Sequence, residues 1–218
     1  MNIARYIDHT ILKPTTLISD IEKICADAKE YRFAAVCVPP LFVRNAKAIL
    51  GDSDVKVATV IGFPFGYSAI EAKVAEIVLA IVDGADELDV VINISAVKNN
   101  DWQYLASEIS TIMPIIRSKG RVIKVIIESG ILSREEIIKC CDIYGAAGVD
   151  FIKTSTGYAE KGAAVADVAL IRKHSSGSIK IKASGGIKTF IFAKQLIDAG
   201  ADRLGCSSSI AIVQESKN

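Results

Sequence analysis

Two lysines stand where chemistry on a carbonyl would need them: Lys153 in FIKTSTG (Phe151 to Gly157) and Lys182 in IKASGG (Ile181 to Gly186). Each follows an apolar stretch of strand character and precedes small residues that let backbone amides come close to a ligand. With 26 basic residues in the chain, a lysine by itself marks only a solvated surface, and it is the shared context that separates these two. Neighbouring strands lie roughly 4.8 Å apart, so inward lysines on successive strands would hold their ammonium groups about 6 Å apart. At an effective dielectric of about 20, two such charges repel by roughly 3 kcal/mol. That repulsion, together with partial desolvation, frees one amine to act as a nucleophile near neutral pH, as in lysines that form Schiff bases.

The elements that must position these lysines alternate. Short apolar segments and longer amphipathic ones follow one another, the pattern of β-α units on a parallel sheet. Strands are expected at Tyr6 to Thr10, Ala34 to Val38, Lys56 to Ile61, Glu87 to Ile92, Val122 to Ile127, Val149 to Lys153, Ile179 to Ala183 and Arg203 to Cys206. Capping boxes at Ser19 with Glu22 and at Ser133 with Glu136 mark helix starts, since hydroxyl and carboxylate satisfy first-turn amides. Gly84-Ala85-Asp86, Gly148-Val149-Asp150 and Gly200-Ala201-Asp202 repeat a helix exit followed by entry into a strand. Eight strands in 218 residues favour a TIM (β/α)8 barrel of the α/β class, spanning residues 1–218 as a single domain. An open doubly wound sheet satisfies the same pattern. In the barrel, both lysines fall at the C-terminal ends of their strands, where barrel active sites lie.

Composition removes several alternatives. Half the residues are hydrophobic and the formal net charge is +1, with lysines and arginines scattered among acids, so no nucleic-acid surface is expected. The segment MNIARYIDHTILKP is broken by Arg5, Asp8, Lys13 and Pro14 and does not read as a signal peptide. The apolar run from Ile77 to Val82 is too short to span a bilayer, so no membrane partner is expected. Five irregularly spaced cysteines, at 25, 37, 140, 141 and 206, read as reduced thiols of a cytoplasmic protein. His9 and His174 lie in no metal motif, and no metal site is expected.

Phosphate recognition needs short segments whose amides converge on anionic oxygens. Gly185-Gly186 and Gly205-Cys206-Ser207-Ser208 follow the last two strands, the region where barrels frequently bind phosphate, and Thr156-Gly157 stands beside them. Asp8 and Thr10 have the chemistry to bind substrate or order water, and equally to cap a turn. Lys124 has an inward position on the strand next to that of Asp89, which it would neutralise, and the two join Lys153 and Lys182 in one coupled network.

The chain resembles deoxyribose-phosphate aldolases of the shorter bacterial and archaeal type over essentially its whole length. The segments that carry the resemblance are IDHTIL (7–12), VCVPP (36–40), IGFPFG (61–66), ADELDVVINI (85–94), KVIIESG (124–130), FIKTSTG, KASGGIKT (182–189) and RLGCSS (203–208). Each is weak alone, and their order and joint occurrence are specific. The resemblance implies a class I, Schiff-base-forming aldolase that needs no cofactor. It would cleave 2-deoxy-D-ribose 5-phosphate reversibly to D-glyceraldehyde 3-phosphate and acetaldehyde, in deoxynucleoside catabolism, as a homodimer or higher homo-oligomer. It implies Lys153 as the nucleophile, Lys182 as the lysine that tunes it and moves protons, and Asp89 as the acid/base carboxylate.

Other readings stand beside it. Another phosphate-binding barrel enzyme would share the late glycine loops, whereas a noncatalytic phosphosugar-binding protein would not require two lysines and Asp89. Cys37 is expected to be a small buried strand residue, Cys140-Cys141 to pack on a helix and His174 to be exposed. Three features depart from the family pattern: the Pro39-Pro40 pair, Tyr158-Ala159-Glu160-Lys161 in place of a glycine-rich loop, and a tail, QESKN, without a tyrosine.

Overall fold

Val57–Ile61 and Val122–Ile126 are dominated by β-branched residues, whose restricted χ1 suits extended backbone, and both lie in strands. The computed structural model describes residues 2–217. Its strands are β1 (Ile7–Thr10), β2 (Ala35–Val38), β3 (Lys56–Ile61), β4 (Glu87–Val91), β5 (Val122–Ile126), β6 (Phe151–Lys153), β7 (Lys180–Ser184) and β8 (Arg203–Cys206). All pair in parallel and in sequence order, and β1 also pairs with β8, Asp8 standing opposite Gly205. That last ladder closes the sheet and excludes the open alternative.

The helices are α1 (Ile18–Tyr31), α2 (Val43–Leu50), α3 (Ile70–Val82), α4 (Ile94–Lys98), α5 (Trp102–Ser118), α6 (Arg134–Ala146), α7 (Val165–His174), α8 (Phe190–Asp198) and α9 (Ser209–Glu215). Among the described residues, no helix is long and apolar enough to cross a membrane. The main core lies between helices and strands, where Ile21, Leu88, Ile123, Ile152 and Leu204 are fully buried. Inside the barrel, a second cluster of small apolar side chains, Ala35, Cys37, Ala58 and Val60, fills only the β2–β3 side. The β4–β8 side carries charged side chains, packed with Phe151, Ile126 and Val91.

Most strands begin or end within one residue of their expected bounds. The largest difference is β6, which starts at Phe151 because Asp150 turns its side chain back to the neighbouring strand. The capping box at Ser133 forms: its hydroxyl accepts from the Glu136 amide at 3.2 Å, while the Glu136 carboxylate accepts from the Ser133 amide at 2.6 Å. The one at Ser19 does not. Helix α1 begins at Ile18, so Ser19 is already helical, and Asp20 takes the capping role by accepting from the Leu17 amide at 2.8 Å.

The three Gly-x-Asp repeats turn out to be latches across the N-terminal end of the barrel. Each glycine leaves its helix with positive φ (102°, 69° and 114°). Each aspartate then accepts from a backbone amide of the preceding strand: Asp86 from Val57 at 3.0 Å, Asp150 from Ile123 at 2.9 Å, and Asp202 from Ile181 at 2.8 Å. Lys47, Arg117 and Arg172 neutralise the three carboxylates from the helical layer. The corresponding entry to β2 is Arg32-Phe33-Ala34, with Arg32 itself left-handed at φ 55° and no carboxylate.

Candidate active site

Period-two alternation turns Asp8 of β1, Glu87 and Asp89 of β4, Lys124 of β5, Lys153 of β6, Lys182 of β7 and Arg203 of β8 into the barrel. Asp89 is the hub. Its Oδ1 accepts from Lys124 Nζ at 2.7 Å, and its Oδ2 accepts from both Lys153 Nζ at 2.8 Å and Lys182 Nζ at 2.7 Å. Lys182 also donates to Asp8 Oδ2 at 2.5 Å, and Arg203 holds the other Asp8 oxygen at 2.6 Å. Lys124 reaches Glu87 at 2.5 Å. The two lysines read from the sequence are therefore joined through one carboxylate oxygen.

Three carboxylates face four cations in this buried cluster, so it carries one positive charge too many when every group is ionised. Lys153 is the least firmly held of the four, with a single carboxylate contact, on an oxygen it shares. Burial lowers its pKa, the charge of Lys182 adds to that, and the attraction of Asp89 only partly opposes them. Lys182 goes the other way: burial alone would lower its pKa, but Asp8 and Asp89 outweigh it and hold the ammonium. Lys124 is likewise raised, since burial is overcome by Asp89 and Glu87. Burial would raise the Asp89 carboxyl, yet Lys124, Lys153 and Lys182 hold it well below the usual carboxylate range. Asp8 is also lowered, by Lys182 and Arg203 against the cost of burial.

Access to the cavity separates the two lysines, which stand opposite one another in register. Lys153 is the last residue of β6, whereas β7 runs two residues beyond Lys182, farther than expected. Lys153 lines the cavity at the C-terminal mouth, about 600 Å³ in volume, whereas Lys182, Asp89, Asp8 and Lys124 do not. Lys182 crosses the barrel to Asp8 only because Gly205 has no side chain: a Cβ there would lie 2.9 Å from Ser184 Cβ and 3.1 Å from Lys182 Cε. The sequence places Gly205 in a phosphate loop, and its position against the Lys182 side chain adds a steric reason for the glycine.

The other expected residues divide. Thr10, Thr156, Gly157, Gly185, Gly186, Gly205 and Ser207 line the cavity. Ser208 does not, because it immediately precedes α9 and its carbonyl accepts from Ile212. Thr10 spends its hydroxyl proton on the Asp8 carbonyl at 2.8 Å. Thr156 gives both its donors to Glu128, its amide at 3.2 Å and its hydroxyl in a short bond. Among the described residues, the amides of Gly157, Gly186 and Ser207 have no protein acceptor and are available to an anion. The sequence reading missed Glu87, Arg203 and Glu128. Period two flags the first two, lying two residues before Asp89 and Gly205, whereas no pattern flags Glu128.

A family model described as DeoC/LacD family aldolase matches residues 3–215. The chain belongs to that family. It is 49% identical to the deoxyribose-phosphate aldolase of Caldanaerobacter subterraneus subsp. tengcongensis, over 100% of this chain and 94% of the relative. The Thermococcus gammatolerans enzyme of the same name is also 49% identical, with 100% and 98% covered. Among solved structures, QR15, an aldolase, superposes with a TM-score of 0.92 at 43% identity, covering 99% of this chain and 96% of that one. Deoxyribose phosphate aldolase from Aeropyrum pernix, described as a unique tetramer, gives 0.93 at 31% identity, with 99% and 91% covered.

Elsewhere in the aldolase, Cys37 is fully buried beside the lysines, and burial pushes its thiol up, so it persists as the weakly nucleophilic neutral form. Cys140 and Cys141 pack on α6 as expected. His174 is half-buried at the end of α7, where an exposed ring was expected. Tyr158, in the loop that departs from the family pattern, donates its hydroxyl to the Leu12 carbonyl at 2.8 Å and packs edge-on against Phe63. It ties the β6–α7 loop to the chain after β1.

Proposed function

We propose that this aldolase reversibly cleaves 2-deoxy-D-ribose 5-phosphate to D-glyceraldehyde 3-phosphate and acetaldehyde, through a Schiff base on Lys153, as a single catalytic domain. The observation that carries the reading is that Lys153, alone among the amines of a cluster with one surplus positive charge, reaches the cavity. Shedding a proton from Lys153 balances the charge, and the free amine attacks the C1 aldehyde of the open-chain sugar. Loss of water gives an iminium. A base takes the C3 hydroxyl proton, the C2–C3 bond breaks with its electron pair drawn into the iminium, and glyceraldehyde 3-phosphate leaves. The remaining enamine is protonated at C2, and hydrolysis of the new iminium releases acetaldehyde and restores the lysine.

Lys182 supplies the standing positive charge and a proton donor, and Asp89 bridges the two amines, so a proton passes between them without crossing solvent. Asp89 is a weak base while three ammonium groups hold it. Its acid/base role is exerted with Lys182 and a water that receives the substrate proton. Asp8 and Lys124 hold this arrangement from below. The amides of Gly157, Gly186 and Ser207 receive the phosphate, beside Gly185 and Gly205, while Ser208 starts the helix behind them and Thr10 and Thr156 shape the wall. The reaction needs neither metal nor cofactor. Five free, buried thiols suit a reduced cytoplasmic compartment, and the tetrameric relative supports a homo-oligomer.

Borohydride trapping tests the reading. The protein is incubated with deoxyribose 5-phosphate or acetaldehyde, reduced, digested and mapped by mass spectrometry. A reduced adduct at Lys153 with both carbonyls, alongside sugar-phosphate cleavage, is expected. No adduct at Lys153 sinks the mechanism, and an adduct without cleavage of deoxyribose 5-phosphate points to another donor.

A further inference from the structure

Glu128 lies just beyond β5 and outside the lysine cluster, yet it is only 2% exposed. Its backbone is left-handed, at φ 53° and ψ 56°, a conformation disfavoured for any residue with a Cβ. Such strain persists only where surrounding contacts impose it. Here the turn aims the carboxylate across to the next loop, where both oxygens lie 3.2 Å from the Thr156 amide and one takes the Thr156 hydroxyl. Thr156 Oγ1 in turn accepts from the Tyr158 amide at 3.0 Å, so the carboxylate fixes both sides of Gly157. Burial raises the Glu128 carboxyl pKa, while the Thr156 bonds and the Lys153 charge pull against that.

The loop held by Glu128 is continuous with the glycine loops. A Cβ on Gly185 would lie 3.4 Å from Gly157 Cα and 3.1 Å from Gly162 Cα, and the Ala163 amide donates to the Gly185 carbonyl at 3.0 Å. A Cβ on Gly130, two residues after Glu128, would lie 2.6 Å from the Lys161 carbonyl oxygen. The loops after β5, β6 and β7 therefore come into close backbone contact at Gly130, Gly162 and Gly185.

We propose that Glu128 is a positioning residue for recognition of the substrate phosphate: it clamps the loop after Lys153 so that the free amides of Gly157 and Gly186 face the cavity together. The inference rests on the aldolase reading and assigns to this carboxylate the enzyme's preference for a phosphorylated sugar. Its contacts are to the loop, and its charge reaches the Lys153 amine only at longer range. Removing it is expected to spare imine formation at Lys153 and to weaken selection of the phosphate.

The test compares wild type, Glu128→Gln and Glu128→Ala. Glutamine keeps one acceptor for Thr156 and alanine keeps none. For Glu128→Ala, KM for deoxyribose 5-phosphate should rise about tenfold, with a smaller rise for Glu128→Gln, and selectivity over unphosphorylated deoxyribose should fall by the same factor. Borohydride trapping of acetaldehyde at Lys153 should stay within about threefold of wild type, which also shows that the variants are folded. An unchanged KM, an equal loss with both sugars, or a collapse of trapping would each overturn the proposal. Calorimetric titration with inorganic phosphate reads the same clamp without turnover. About tenfold weaker binding by Glu128→Ala is expected, and equal affinity counts against Glu128 even if the wild-type enzyme proves to cleave a different sugar.

Discussion

Replacing Lys182 by leucine separates the field of this residue from its proton transfer. Lys153 and Lys182 contact one oxygen of Asp89 at 2.8 and 2.7 Å, which limits their separation to roughly 5.5 Å; at an effective dielectric of about 20 their repulsion is about 3 kcal/mol. Without it, the free-amine form of Lys153 becomes ~10²-fold rarer at neutral pH. Asp89, relieved of one cation, holds the Lys153 ammonium more tightly, so the two effects add in sign. Neither carboxylate is orphaned: Asp8 keeps Arg203 at 2.6 Å and Asp89 keeps Lys124 at 2.7 Å. A loss of about 3 kcal/mol in urea unfolding, the low end for breaking a buried pair, leaves a folded protein to assay. The assay is the initial rate of borohydride trapping by acetaldehyde as a function of pH, a half-reaction that requires no cleavage. The rate at pH 7 should fall ~10²-fold and recover at higher pH, and turnover of the sugar should fall further because the proton donor is gone. A trapping profile that overlays wild type within about threefold would refute the electrostatic account.

Two further outcomes follow from the same cluster. Lys153→Met removes the surplus charge and leaves Asp89 its other two partners, so the inactive variant should be more stable than wild type near neutral pH, by about 1 kcal/mol in urea. The folded pKa of Lys153 is below its unfolded value, so its cost is full below the folded pKa. The advantage of the variant should therefore shrink as pH rises towards the ordinary lysine range, and an advantage that grows with pH would contradict the sign. Gly205→Ala places a methyl against Lys182 Cε and Ser184 Cβ; turnover should fall about tenfold or more and urea stability by about 1–3 kcal/mol, whereas near-native turnover would show that Lys182 has room to spare.

The barrel was legible because short apolar segments alternate with amphipathic ones and glycine helix exits repeat along the chain; Lys153 and Lys182 were legible as lysines at the ends of apolar strands, whereas Asp89 alone read as a counter-ion to Lys124 and its acid/base role came only with the family resemblance. What escaped depended on distance across the barrel or on local geometry. The partners of Asp8 come from β7 and β8, about 170 to 200 residues away in sequence, and no local pattern links them. Arg203 and Glu87 begin strands, where a charge reads as solvated until closure buries it. Glu128 escaped because its direction is set by a left-handed turn that a glutamate rarely adopts. At Ser19 the hydroxyl-carboxylate spacing was present but already inside the helix, and Asp20 three residues after Leu17 capped it instead.

The latches at the N-terminal end divide the sheet into quarters of two strands. Carboxylates bolt β3 to β4, β5 to β6 and β7 to β8, but the β1–β2 quarter has Ala34 where the others have aspartate. That quarter carries Asp8, gripped from inside by Lys182 and Arg203 of the quarter across the seam. One carboxylate is thus both keystone and reagent support. Removing that carboxylate would free Lys182 and Arg203 at the seam in the same stroke that it empties the floor of the lysine cluster.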